Sequence, residues 1–162
     1  MSTVREITVP VTKPATEWVN GRALQKVSPQ EEHGRAQRRI AAALGAWADE
    51  TGSGRVSTEW EFRVTPPHEA TRPLVPDVAF LSFDSLSYEQ DEAAQIPRMA
   101  PDVAIEIVSP NDQRHDVDEK TRVYLAAGEQ SWCCSSIPRP KCSSRMTSNI
   151  RGRSRPRRRS HT

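Results

Sequence analysis

The sequence lacks any run of about 18 apolar residues, the length that suggests a membrane-spanning helix. Its N-terminus also lacks the basic-then-apolar pattern of a secretory signal. The three cysteines all follow residue 130 and form no CxxC or Cys–His spacing of the kind that binds zinc. These absences disfavour a membrane protein, a disulfide-stabilised protein and a zinc protein, and they predict a soluble, cytoplasmic chain.

Acidic residues are missing from the end of the chain. Residues 1–129 contain 14 Lys and Arg against all 21 Asp and Glu, a formal charge of −7, whereas residues 130–162 contain nine Lys and Arg and no acid. The net charge of +2 therefore averages two unlike segments. Length and charge together predict one folded domain over residues 1–130 and a basic, Ser/Arg/Cys-rich tail over residues 131–162.

The first part of the chain carries signals for a hairpin and a long helix. Asn20-Gly21 supplies the positive φ angles of a tight hairpin turn. A Ser-Pro-x-Glu start predicts a helix from residue 28 to about residue 50, ended by the glycines that follow. One face of this helix is apolar, with Ala36, Ile40, Leu44 and Trp47.

Three strands and a second helix are predicted after the long helix. The strands are expected at residues 56–64, 75–82 and 101–110, and the helix at residues 117–127. The third strand is apolar on both faces and bounded by prolines, which is typical of a central strand covered on both sides. We therefore predict an α/β fold with a mixed sheet and helices on its faces. Because residues 131–162 show no convincing strand pattern, this sheet is expected to be incomplete at its C-terminal end.

One carboxylate, Glu106, interrupts the apolar run of the third strand. A buried, ionised carboxylate is costly, so Glu106 requires a cation, a basic partner or a proton. Asp77 starts the neighbouring strand, and Lys120 lies on or beside the apolar face of the second helix. Two nearby carboxylates can bind Mg²⁺, or Mn²⁺, which polarises a phosphodiester and lowers the pKa of a bound water, while a lysine orients that water. The three residues therefore predict metal-assisted phosphodiester hydrolysis.

Each of these side chains also has a structural explanation. Asp77 could cap a backbone amide at the start of its strand, and Glu106 could form a buried pair with a Lys or Arg. Lys120 could pair with Asp116 at the i,i+4 spacing of a helix. Three further candidates for the site, each also explained by a helix start or an exposed strand face, are His33, Glu59 and Glu61.

Several segments of the chain resemble one known family. PDVAFL and PDVAIEIVSPND, followed by a helix with Asp116, Lys120 and Tyr124 in an Asp-xxx-Lys-xxx-Tyr pattern, are similar to the Uma-two family of "putative restriction endonucleases". The upstream segment WVNGRALQKVSP with His33 also fits this family. The resemblance covers about residues 15–130 of this sequence.

The resemblance implies a restriction-endonuclease-like core of the PD-(D/E)xK nuclease superfamily and a Mg²⁺-dependent DNA-cleaving site. By position, Asp77 and Glu106 would be the metal-binding acids. The usual superfamily lysine position holds Val108 here, so Lys120 of the following helix would supply the catalytic lysine. DNA is the implied partner, and a homodimer is compatible with cutting both strands. The alternative function is a non-catalytic nucleic-acid-binding or regulatory protein that uses the basic tail on the same fold.

The tail departs from the family pattern after about residue 130. Its Ser, Arg, Pro and Cys enrichment without periodicity predicts a disordered or frameshifted segment, and loss of strands there would leave the product inactive. A one-base shift in the coding DNA that restores an apolar strand after codon 130 would support the frameshift. The competing hypothesis is a true basic tail, since six arginines in residues 151–159 could bind phosphate.

Overall fold

The computed structural model describes residues 5–27, 30–87, 90, 95–110 and 112–128, and the backbone of residues 131–136. The helices and strands, in chain order, are β1 (Thr16–Val19), β2 (Arg22–Gln25), α1 (Glu31–Thr51), β3 (Gly54–Thr58), β4 (Phe62–Val64), β5 (Arg72–Leu74), β6 (Val78–Ser82), β7 (Val103–Val108), α2 (Arg114–Ala126) and β8 (Ser131–Ser136). Neither helix is long and apolar enough to cross a membrane, a finding that covers the described residues only.

The largest sheet has four strands in the order β3-β6-β7-β8. The pairs β3–β6 and β6–β7 are antiparallel, and β7–β8 is parallel, so the sheet is mixed. Ala79 of β6 belongs to the same buried cluster as Tyr124 of α2, whereas its neighbour Phe80 contacts Trp47 of α1 at a ring distance of 5.3 Å. Because successive residues of a strand point to opposite faces, the two helices cover opposite faces of the sheet. The predicted mixed α/β fold, with β7 as an inner strand, is confirmed.

The predicted hairpin is formed by β1 and β2. Asn20 and Gly21 have φ angles of 49° and 73°, as expected for two residues that both take positive φ in a two-residue turn. Asp116, in the first turn of α2, accepts hydrogen bonds from Asn20 Nδ2 and Arg22 NH2, both at 2.7 Å. These contacts dock the turn of the hairpin onto the helix that carries Lys120.

Helix α1 begins at Glu31, with Gln30 as its N-cap, and the predicted capping residues 28 and 29 lie outside the described residues. Its end is as predicted, since Gly52 takes a left-handed φ of 60°. The predicted apolar face contacts the sheet only partly. Within that face Ala36, Ile40 and Leu44 are half-buried and Trp47 is 47% exposed, whereas the buried residue of the helix, Ala48, lies outside the predicted face.

The single strand predicted over residues 56–64 is wrong, because the segment forms two strands. Glu59 has a φ of 51°, a left-handed conformation that a strand does not accommodate. The chain turns there, so β3 pairs with β6 while β4 pairs with β5. The Glu59 N–H donates to the Asp77 carbonyl at 3.3 Å, which places this break next to the start of β6.

The expectation that residues 131–162 supply no strand is wrong for residues 131–136. These residues form β8, which pairs in parallel with β7 from Val103↔Ser131 to Val108↔Ser136. The reason is that strand formation depends on an available partner, and β7 offers an open row of backbone groups that local sequence pattern does not reveal. Residues 137–162 lie outside the described residues, so the predicted tail beyond β8 stays a prediction.

Candidate active site

Asp77 and Glu106 lie side by side on neighbouring strands. Val78 pairs with Ile105, so one further step of the antiparallel register sets Asp77 opposite Glu106. The Ile107 N–H donates to Asp77 Oδ2 at 2.7 Å, which fixes the aspartate against β7. The two residues are 2% and 8% exposed. The predicted pairing of two buried acids is therefore present in the fold.

Lys120 reaches the same point from helix α2. Its side chain is buried, its Nζ donates to Glu17 Oε1 at 2.9 Å, and it forms an ion pair with Glu106 Oε1. The alternative pairing with Asp116 is not formed, since Asp116 accepts bonds from the hairpin instead. The proposed buried pairing of Glu106 with a lysine is formed, so the structural and the catalytic explanations of Glu106 share one contact.

Glu17 is a third buried acid that the sequence analysis missed. It lies on β1, and its Oε2 accepts the Val75 N–H at 3.1 Å while its Oε1 accepts Lys120. Strand alternation offers a signal for it, because Glu17 and Val19 are both buried on one face of the hairpin. Glu17 thus ties Lys120 to the segment just before Asp77.

Besides Lys120, a second lysine lies at the site. This residue, Lys26, was not predicted from the sequence. It follows β2, and its Nζ donates to Asp77 Oδ1 at 2.6 Å, to the Val75 carbonyl at 3.0 Å and to Glu59 Oε1 at 3.3 Å. No local pattern marks it, because only the docking of the hairpin brings it to Asp77. We refer to Glu17, Lys26, Asp77, Glu106 and Lys120 as the buried cluster.

Helix α1 adds polar groups at the edge of the buried cluster. His33 Nε2 lies 3.5 Å from Asp77 Oδ1, and Gln37 Nε2 donates at 2.8 Å to both the Asp77 carbonyl and Glu59 Oε1. Of the three minor candidates, His33 and Glu59 therefore lie at the cluster. Glu61 pairs with Arg63 at 2.9 Å instead.

Burial and neighbouring charges shift the pKa values of Glu106 and Asp77 in opposite directions. Burial raises the pKa of Glu106 to about 7, although Lys120 and Lys26 oppose that rise. The pKa of Asp77 is held well below its usual range, because the contacts from His33 and Lys26 outweigh the effect of its burial. Asp77 is thus ionised throughout the neutral range, and Glu106 is the acid that can exchange a proton near neutrality.

The basic groups of the site are held in their charged forms. Burial acts to lower the pKa of Lys120, but the Glu106 and Glu17 carboxylates outweigh it and raise that pKa. The pKa of Lys26 is also raised, since nearby carboxylates outweigh its burial, and Asp77 raises the pKa of His33 through a hydrogen bond.

The carboxylate pair suits a hard divalent cation. Glu106 Oε1 contacts the Lys120 ammonium, and Asp77 Oδ1 contacts the Lys26 ammonium, so each carboxylate presents an oxygen that already faces a positive charge. Among the described residues, no three His, Cys, Asp or Glu side chains are grouped to hold a metal ion. Mg²⁺ binds through one or two carboxylates and keeps several waters, whereas zinc takes three or four protein ligands. Asp77 and Glu106 therefore fit Mg²⁺ or Mn²⁺ with water as a further ligand.

Comparison with known proteins supports the fold. The chain is similar to a solved structure of "a putative nuclease belonging to DUF820" from Anabaena variabilis ATCC 29413, with 26% identity and a TM-score of 0.70. That match covers 79% of this chain and 69% of the other, and it supports the predicted nuclease-like fold. A search of curated proteins found no match.

The family comparison covers nearly all of the described domain. Residues 7–133 match the Uma2 family, which is described as "Putative restriction endonuclease". The match includes the hairpin, both helices, every residue of the buried cluster and the first residues of β8. The resemblance inferred from the sequence motifs is thereby confirmed, and this chain belongs to the Uma2 family.

Proposed function

We propose that this protein is a Mg²⁺-dependent nuclease that hydrolyses phosphodiester bonds in DNA. The observation that carries the proposal is the pair of buried carboxylates, Asp77 and Glu106, with the Lys120 ammonium against one of them. Membership of a family of restriction endonucleases supports nuclease chemistry and a nucleic-acid partner. The metal and the DNA substrate are the parts that the experiments below test.

Asp77 and Glu106 are the proposed metal ligands. Asp77 is ionised and oriented by the Ile107 N–H, so it presents Oδ1 as the oxygen that can bind a cation. Glu106 contributes Oε1, which the Lys120 ammonium contacts. A bound Mg²⁺ would polarise the phosphodiester and lower the pKa of a coordinated water.

Lys120 is the proposed catalytic lysine. Glu17 and Glu106 hold its ammonium at the carboxylate pair, so the lysine is already oriented before substrate binds. From there an ammonium can orient the attacking water and stabilise the negative charge that develops on the phosphoryl oxygens. Glu17 acts through Lys120, because its other oxygen is bound to the Val75 N–H.

A plasmid-cleavage assay on the full chain tests the proposal. We expect cleavage with Mg²⁺ or Mn²⁺, none with chelator, and a loss of about 100-fold or more in Asp77→Asn and Glu106→Gln. Asp102→Asn is the matched control, since Asp102 also follows a proline at a strand start but accepts bonds from Ser82 N and Ser85 Oγ at 2.7 and 2.8 Å. Wild-type cleavage in both site variants would refute the site assignment.

One observation favours the second candidate function, a non-catalytic nucleic-acid-binding or regulatory protein. The ammonium groups of Lys26 and Lys120 already pair with the carboxylates of Asp77 and Glu17, so the buried cluster can serve as a structural ion network. Nucleic-acid binding would then depend on the arginines of residues 151–159. Replacing these arginines by serine should abolish DNA binding, and the wild type should bind no Mn²⁺. A truncation at residue 130 is unsuitable for this test because it removes β8.

A further inference from the structure

The Lys26 ammonium lies inside a set of oxygens that resembles a cation site. Its Nζ contacts a carboxylate oxygen of Asp77 at 2.6 Å, a backbone carbonyl of Val75 at 3.0 Å and the Glu59 carboxylate at 3.2 Å. Carboxylate and carbonyl oxygens are the ligands that hard divalent cations prefer. The Lys26 ammonium thus occupies a position whose surrounding oxygens could also bind a divalent cation.

The two oxygens of Asp77 contact different parts of the protein. Its Oδ2 accepts the Ile107 N–H at 2.7 Å, a backbone contact that holds β6 against β7. Its Oδ1 is the oxygen that Lys26 contacts, with His33 at 3.5 Å. A divalent cation that binds Asp77 through Oδ1 therefore shares or takes over the oxygen that the Lys26 ammonium holds.

The hairpin holds the backbone of Lys26 in place, while the ammonium at the end of its side chain can move toward solvent. The Lys26 N–H donates to the Ala15 carbonyl at 2.9 Å, so its backbone is held beside β1. Its other carboxylate partner, Glu59, lies at the rim of the site with its side chain 43% exposed. The flexible lysine stem can move the ammonium from Asp77 toward Glu59 without losing every charged partner.

We infer that Lys26 is an intramolecular cation that competes with the divalent cation for Asp77, so that metal binding is an exchange. In the metal-free protein, Lys26 neutralises Asp77 and keeps this buried carboxylate paired. When a divalent cation binds, Lys26 leaves Oδ1 and remains paired with Glu59. This inference rests on the proposed metal site at Asp77 and Glu106. It adds that the affinity of this site for metal is limited by a residue outside the carboxylate pair.

Mn²⁺ affinity in a lysine variant tests the exchange. Kd is measured by electron paramagnetic resonance of free Mn²⁺ for the wild type, Lys26→Met and the exposed control Lys13→Met, all as full chains. Removal of the competing ammonium should lower Kd at least tenfold in Lys26→Met, with no change in Lys13→Met. Unchanged or weaker binding in Lys26→Met, with a wild type that binds Mn²⁺, would overturn the exchange and leave the metal site standing. Absence of Mn²⁺ binding in both proteins would overturn the metal site and the exchange together.

If Lys26→Met does not fold, a measurement on the wild type tests whether Lys26 leaves Asp77 when a divalent cation binds. The lysine ammonium groups are observed by nitrogen-15 NMR, with the Lys26 signal identified by its absence in Lys26→Arg. Without metal, the signal should be protected from exchange with water by its three oxygen contacts. Saturating Mg²⁺ should shift the signal and remove that protection. A Lys26 signal that Mg²⁺ leaves unchanged would contradict the exchange, and cleavage activity is measured separately.

Discussion

Two groups of ion pairs in this chain contain similar residues but differ in what they leave available. The surface cluster comprises Glu69, Glu119 and Arg122, and Arg122 bonds both oxygens of both glutamates at 2.7–3.2 Å. In the buried cluster, lysines provide the positive charge, and the Lys120 ammonium contacts Glu106 Oε1. Arginine satisfies carboxylates with a planar fork, whereas lysine is a point charge that leaves oxygens open. The lysine-based cluster is therefore the one that we propose as the metal site.

The first prediction compares the loss of a lysine ammonium from the buried cluster with the loss of an exposed lysine. Lys120→Met leaves Glu106 and Glu17 without their shared partner in a buried position. Breaking a buried ion pair in this way costs about 3–5 kcal/mol. Urea denaturation should show a loss of this size in Lys120→Met and no measurable loss in Lys13→Met. A loss below 1 kcal/mol in Lys120→Met would mean that the cluster behaves like an exposed one.

The second prediction concerns the hairpin that brings Glu17 and Lys26 to the cluster. Asp116→Asn removes the charge that holds Asn20 and Arg22 on helix α2. Hydrogen bonds to a charged group contribute about 1.5–3 kcal/mol, and an asparagine retains one acceptor, so we expect a loss of about 1–2 kcal/mol in urea denaturation. Arg114→Gln is the control, because Arg114 lies in the same turn but is exposed. Equal stability of the two variants would contradict the role given to the hairpin contact.

The third prediction uses the opposite directions of the pKa shifts of Glu106 and of the two surface-cluster glutamates. The pKa of Glu106 rises from 4.5 to about 7 on folding, so between these values the folded protein holds a proton that the unfolded chain releases. This group therefore makes stability fall as pH rises through that window, with a slope of up to about 1.4 kcal/mol per pH unit. Hydrogen bonds from Arg122 lower the pKa of Glu69 and Glu119, so their contribution is lost as pH falls through those lowered values.

Denaturation of the wild type and of Glu106→Gln across this pH range separates these contributions. The variant lacks the titrating group, so its stability between pH 4.5 and 7 should fall less steeply than that of the wild type. The loss at acid pH that the lowered pKa values of Glu69, Glu119 and Asp77 cause should remain in both proteins. Parallel pH profiles for the two proteins would show that Glu106 does not titrate in this window.

The sequence predicted the parts of the site that local pattern encodes. Asn20-Gly21 gave the hairpin turn, and the apolar run around Glu106 gave the inner strand, because turn geometry and burial leave short-range signals. The sequence also predicted that three residues lie together: Asp77, Glu106 and Lys120. Each lies in or next to one of three elements that follow one another along the chain, β6, β7 and α2. The structure places them together, while their catalytic roles stay predictions.

The parts that the sequence did not predict depend on long-range docking. Glu17 meets Lys120 across 103 residues of chain, and Lys26 meets Asp77 across 51. Neither contact follows from a motif, because the hairpin carries no local sign of the surface on which it docks. Strand β8 was missed for the same reason, since its partner β7 and not its own composition determines its pairing.

The last and smallest prediction concerns the surface cluster itself. Arg122 is 48% exposed, so its pairs with Glu69 and Glu119 are screened by water and salt despite their good geometry. We expect Arg122→Ala to cost about 1 kcal/mol or less, and the cost to shrink further at high salt. Urea denaturation at low and high salt measures both effects. A loss as large as that of Lys120→Met would show that hydrogen-bond geometry and not burial separates the two clusters. The proposed metal site would then depend on how its carboxylates are paired more than on their removal from water.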